Sequence, residues 1–218
     1  MANKKIQKSL TFIVLNILLA GITPRTNAGV GTSLMQTANV LEPGTFQGKI
    51  QGDLIFNRGG GFNISPHLGF GIIEHFVDLD TYVGTGTTDF QVGALAKYNL
   101  FPDIPEQVGV ALNLGLGFQR DSIRIGPDVR LPINSVLFTF GILASKEMTT
   151  DFGSMAPYGS FQFEGLVRNQ NQPSTVPLSL ILGSAWKFKE INWGFFSEAN
   201  VNVNESFWAL SLGSSYTF

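Results

Sequence analysis

The chain contains no cysteine. That excludes disulfides, thiolate nucleophiles, thiolate-bound metals and a lipid-modified cysteine anchor. Charge is also scarce. Asp, Glu, Lys and Arg make up 14% of the 218 residues, against about 25% in soluble domains. Four of the 14 basic residues, Lys4, Lys5, Lys8 and Arg25, fall in the first 28 positions. The remainder then holds 10 basic and 16 acidic residues, net −6, which argues against a nucleic-acid partner. The two histidines, His67 and His75, have no His or Cys two residues away, so no metal site is expected. Beyond residue 28 no stretch reaches the roughly 18 unbroken apolar residues of a membrane helix. Mean hydropathy is nevertheless positive, at +0.16. The apolar residues are dispersed rather than gathered into runs.

What the chain does have is a leader-like start, 25 Gly, 19 Phe and a long alternating pattern. Lys4, Lys5 and Lys8 precede the apolar run Thr11 to Ala20, and Thr26-Asn27-Ala28 offers small residues at the −3 and −1 positions. This fits a secretory signal peptide over 1–28, cleaved after Ala28. Residues 29–44 are weakly patterned and read as a periplasmic lead-in or a poor first strand, with a turn at Pro43-Gly44. From Thr45 to Phe218 apolar and small or polar residues alternate with period 2, broken by turn residues. The cleanest segment sets Val108, Val110, Leu112, Leu114, Leu116 and Phe118 against Gln107, Gly109, Ala111, Asn113, Gly115, Gly117 and Gln119. Side chains of a strand point alternately to its two faces. One face is therefore apolar and the other polar, over the 9 to 11 residues that cross a bilayer as a tilted strand.

The final stretch, FWALSLGSSYTF, puts Trp208, Leu210, Leu212, Tyr216 and Phe218 on one face. Ala209, Ser211, Gly213, Ser215 and Thr217 lie on the other, and the chain ends on an aromatic residue. This resembles the closing strand of outer-membrane β-barrel proteins of Gram-negative bacteria. The resemblance implies that these five residues serve as an assembly signal read by the barrel-assembly machinery, and that the protein resides in the outer membrane in contact with its lipid.

The expected fold is all-β: a closed antiparallel transmembrane barrel over 45–218, since in lipid only helices and closed barrels satisfy every backbone group. Eleven alternating segments are counted. One of them sets Ile123, Ile125, Val129 and Leu131 against Arg124, Gly126, Asp128 and Arg130. Bacterial barrels normally have an even strand number. Twelve strands, with Leu34 to Val40 as the extra one, is the preferred count, and ten is the alternative. No linker or compositional shift divides the segment, so it reads as one domain.

The phase of alternation places Lys49, Asp53, Lys97, Arg124, Asp128, Arg130, Glu164 and Glu198 in the lumen. They read as a paired polar filling or as the lining of a pore. Ser65 and His67 share the inward face, with no evident third group to orient the imidazole, so catalysis is not expected. Asp78 and Asp80 supply too few oxygens for calcium. No cofactor is expected. The function this pattern suggests is that of a structural or porin-like outer-membrane protein passing at most small solutes. A binding module presenting loops Arg168 to Pro177 and Lys146 to Ser154 is the alternative, and a lipid-modifying enzyme ranks third.

Overall fold

A computed structural model describes residues 37–56, 60–124, 130–169, 176–204, 206 and 208–218, with backbone alone at 123, 124, 130 and 131. The expected leader 1–28, residues 29–36 of the expected lead-in, and Asp128 lie outside the described residues. The alternating segments form strands β1 (Phe46–Ile55), β2 (Gly61–Ile73), β3 (Val77–Gly86), β4 (Phe90–Phe101), β5 (Gly109–Arg124) and β6 (Arg130–Ser145). They continue as β7 (Met148–Thr150), β8 (Gly153–Arg168), β9 (Leu178–Phe188), β10 (Trp193–Asn204) and β11 (Ala209–Thr217). Each wall strand pairs antiparallel with its neighbour, and β1 pairs with β11, from Gln47↔Thr217 to Ile55↔Ala209. The sheet therefore closes on itself, and the backbone hydrogen bond Phe218 N to Phe46 O (2.8 Å) extends the seam by one residue pair.

The wall has ten strands, which corrects the preferred count of twelve. β7 pairs only with the start of β8, as a short extension beyond the wall. Ile123 to Leu131 is not a strand of its own. Ile123 pairs with Leu131 and Arg124 with Arg130 at the tip of the β5–β6 hairpin. The apolar phase shifts from even positions (Val110 to Phe118) to odd ones (Ile123 to Leu131) and back to even from Val136, so the ends of these two 16-residue strands read as a separate segment. Nor do residues 37–45 add a strand; they lie across one mouth of the barrel, as described below.

The register also fixes the tilt. From Lys49 the pairing runs through His67, Tyr82, Gly93, Gly117 and Leu137 to Leu166 on β8. In the other direction it runs through Ser215, Gly194 and Lys187 to Ser154 on the same strand. The two arrivals are 12 residues apart. A stagger of this size over ten strands tilts them by about 40°. Eight strands make an interior that side chains just fill. Ten leave somewhat more room, and larger inward residues are needed to occupy it.

Connections 74–76, 102–108, 146–152 and 189–192 lie at the end that carries both termini of the wall. Strands β1, β3, β5, β8 and β10 end at the far end, at Ile55, Gly86, Arg124, Arg168 and Asn204. Of the two loops expected to serve binding, Lys146 to Ser154 sits at the terminal end, whereas the described ends of the other, Arg168 and Pro177, are at the far end.

The outer wall is a belt of apolar side chains: Leu114, Leu116, Phe138, Phe195 and Leu212 are each more than half exposed. Such a continuous surface is incompatible with water and fits hydrocarbon. At the terminal end aromatic rings collect, with Phe76 against Tyr98 and Trp193, Tyr216 and Phe218 in a T-shaped series at 5.3 and 5.0 Å. Amphipathic rings favour the lipid–water boundary. Leu114→Arg, at the middle of β5, is expected to destabilise the lipid-inserted barrel by about 2–4 kcal/mol. Urea unfolding from lipid vesicles measures this; an unchanged midpoint would mean that this face does not meet hydrocarbon.

Candidate functional site: the lumen and its mouth

Because inward residues pair across strands, the register gathers charges that are far apart in sequence. Lys49 on β1 lies opposite His67 on β2, and Asp78 on β3 opposite Lys97 on β4. Asp80 forms an ion pair with Lys49 and accepts from His67 Nδ1 at 2.8 Å. His67 Nε2 lies 3.3 Å from Ser65 Oγ. Lys97 Nζ lies 3.0 Å from Asp78 Oδ2. All six residues are buried. The absence of a third group to orient His67 is thereby corrected, because Asp80 does so. The sequence could not reveal this without the β2–β3 register. The order Ser, His, Asp is that of a hydrolytic relay, but Ser65 is only 2% exposed, which leaves a substrate no route to its hydroxyl.

Farther from the terminal mouth the buried carboxylates take neutral donors. Gln51 Nε2 donates to Asp53 (2.6 Å), Gln162 Nε2 to Glu164 (2.7 Å) and the Tyr158 hydroxyl to Glu198 (2.7 Å). Gln119 bonds Asp121 in the same way at 2.6 Å. Gln two residues before an acid, on one inward face, therefore recurs three times. It was a readable signal that the phase analysis did not use. Glu164 Oε2, Gln162 Oε1, Gln119 Oε1 and the amide of Asn113 find no protein partner among the described residues. Buried polar atoms of this kind are met by ordered water. Of the expected lumen residues, Lys49, Asp53, Lys97, Glu164 and Glu198 are buried inside. The side chains of Arg124 and Arg130, and all of Asp128, lie outside the described residues.

The lumen also contains an apolar layer that the sequence reading passed over. Tyr82 on β3 and Leu95 on β4 pack against Ile181 on β9, with exposures of 6%, 2% and 1%. β9 pairs with neither β3 nor β4. The contact therefore crosses the barrel. Inward aromatics are accommodated by glycines on neighbouring strands. The Tyr82 hydroxyl lies where a side chain on Gly93 or Gly117 would be, Tyr158 covers Gly183, and Phe196 covers Gly213.

At the terminal end a cavity of about 470 Å³ opens between residues 37–45 and the β8–β11 wall. Lys49, Asp80, Lys97, Lys187, Phe196 and Thr217 are among its lining. Among the described residues no group of three or more His, Asp or Glu is placed to hold a metal ion.

No protein-family model matches the chain, and no curated protein does. Among solved structures it is similar to the β domain of the Bordetella autotransporter BrkA, at 12% identity and a TM-score of 0.48. The match covers 81% of this chain and 100% of that one. Closure, tilt and an apolar wall make the chain a β-barrel of the outer-membrane kind. The five residues of the expected C-terminal signal lie on the outward side of the last strand, with Leu212 and Phe218 exposed.

Asp80→Leu leaves both Lys49 and His67 without their carboxylate. It is expected to cost about 3–5 kcal/mol, with much of that recovered in Asp80→Leu/Lys49→Met. Urea midpoints of the two variants in detergent test this; equal destabilisation by both would mean that the ion pair is not what holds this wall together.

Proposed function

We propose that this protein is an integral outer-membrane protein whose barrel acts as a filled structural body rather than as an open porin. One observation carries the reading: Tyr82, Leu95 and Ile181 meet across the lumen and are almost fully buried. A conducting pore requires a continuous hydrated path between its two ends, and an apolar layer spanning the interior interrupts that path. The inward burial of Ser65 speaks against lipid hydrolysis. In the same reading the outward row Trp208, Leu210, Leu212, Tyr216 and Phe218 is what the assembly machinery recognises during insertion.

Current across a planar bilayer, recorded with the refolded chain 29–218, tests the proposal. The wild-type protein is expected to be silent, and Leu95→Ser/Ile181→Ser, which removes apolar bulk from both sides of the layer, is expected to give discrete steps. Reproducible steps from the wild-type protein would overturn it.

A further inference from the structure

Residues Thr37 to Glu42 cross the terminal mouth from β6 to β2, and nearly every polar contact they make there uses their backbone. Lys97 Nζ donates to the Thr37 carbonyl at 3.0 Å and also to the Asn39 carbonyl. Ala38 N donates to Ser145 Oγ at 2.8 Å, and Leu41 N to Asp78 Oδ2 at 3.1 Å. Among the described residues the one side-chain bond runs from Asn39 Nδ2 to Glu147 at 3.0 Å. Lys97 and Asp78, themselves an ion pair, thus present one donor and one acceptor to a chain that bends at Ala38.

The floor beneath is shaped for the same purpose. A Cβ on Gly71 would lie 2.2 Å from the Glu42 carbonyl oxygen and 2.4 Å from that of Leu41. On Gly109 it would come within 3.1 Å of the Ala38 Cβ, and on Gly69 within 3.3 Å of Leu41 Cδ1. Ala38 is fully buried. Of these glycines on β2 and β5, Gly71 is covered by strap backbone and Gly69 by the Leu41 side chain, while Gly109 lies under Ala38 and, at 2.9 Å, under the Asp103 Cβ, so the strap position over it must be small.

We propose that the mouth is a binding site for a short peptide that bends at a small residue in its second position. The site is formed by Gly69, Gly71, Gly109, Ser145 and the Asp78–Lys97 pair, and is filled in cis by Thr37 to Glu42. The strap is a tethered ligand, and its release exposes the site and enlarges the neighbouring cavity. Tethering keeps the local concentration of the strap high, so a free peptide competes poorly with it.

Two readouts on the refolded chain 29–218 test this, each made on protein whose β content and resistance to cold denaturant match wild type. In Ala38→Cys, the only thiol in the chain is expected to react with a polar maleimide at least tenfold more slowly than in the urea-unfolded protein. Gly71→Val, which intrudes on the strap but leaves Asp78 and Lys97 in place, is expected to abolish that protection. In Ala38→Glu, whose strap no longer fits over Gly109, a fluorescent peptide of residues 37–44 is expected to bind. It should bind neither wild type nor Ala38→Glu/Lys97→Met. Labelling of Ala38→Cys at the unfolded rate, or protection that survives Gly71→Val, would overturn the strap. Peptide binding to none of the three proteins, or equally to all, would overturn the site.

Discussion

The structure depends on the pairing of its first and last wall strands. In hydrocarbon an unpaired backbone N–H or C=O has no water to turn to and costs several kcal/mol. An open ten-stranded sheet would expose two such edges in the membrane. Pairing β1 with β11 over nine residue pairs removes both. Once that seam is made, the stagger of 12 residues fixes the tilt, the tilt fixes the bore, and the bore decides what can sit inside.

The interior shows the consequences of that bore. Three inward aromatics lie on glycines of adjacent strands, so the wall itself provides their space. Among the described residues, buried ion pairs of lysine with aspartate gather on one side of the terminal half, where strands β1 to β4 bring them within bonding distance. Deeper in, the carboxylates rely on amide and hydroxyl donors, and an apolar contact crosses the lumen. The contact of Tyr82 and Leu95 with Ile181 interrupts the polar filling across the lumen. That is the physical basis for reading it as a structural body with a specialised mouth.

Much of this was legible in the sequence, because period-2 alternation reports the two faces of a strand directly. Phase alone placed Lys49, Asp53, Lys97, Glu164 and Glu198 inside and Leu114 and Leu116 outside. It miscounted strands at the long β5–β6 hairpin, where the apolar phase shifts from even to odd positions and back, so the tip read as a segment of its own, and the turn signal Gly126-Pro127-Asp128 within it was passed over. It could not find the Asp80–His67 contact or the Tyr82–Ile181 layer, because those depend on which strands face each other across the sheet or the bore. Leu95 and Ile181 did break the polar register of their strands, which was a usable hint. The strap was hidden for a different reason: it binds through its backbone, and backbone contacts leave almost no trace in residue type beyond Ala38 and the glycines beneath it.

The central claim is closure through β1 and β11, and the absence of cysteine makes it directly measurable. Gln47 and Thr217 are opposed at the terminal end of the seam, with their side chains in contact at 3.4 Å. In Gln47→Cys/Thr217→Cys, inserted in lipid and mildly oxidised, an intramolecular disulfide should form nearly completely. Mass spectrometry would read it as the loss of two hydrogens, with a linked peptide joining the two ends of the barrel. A folded, inserted protein that keeps both thiols free under the same oxidation would contradict closure at this seam.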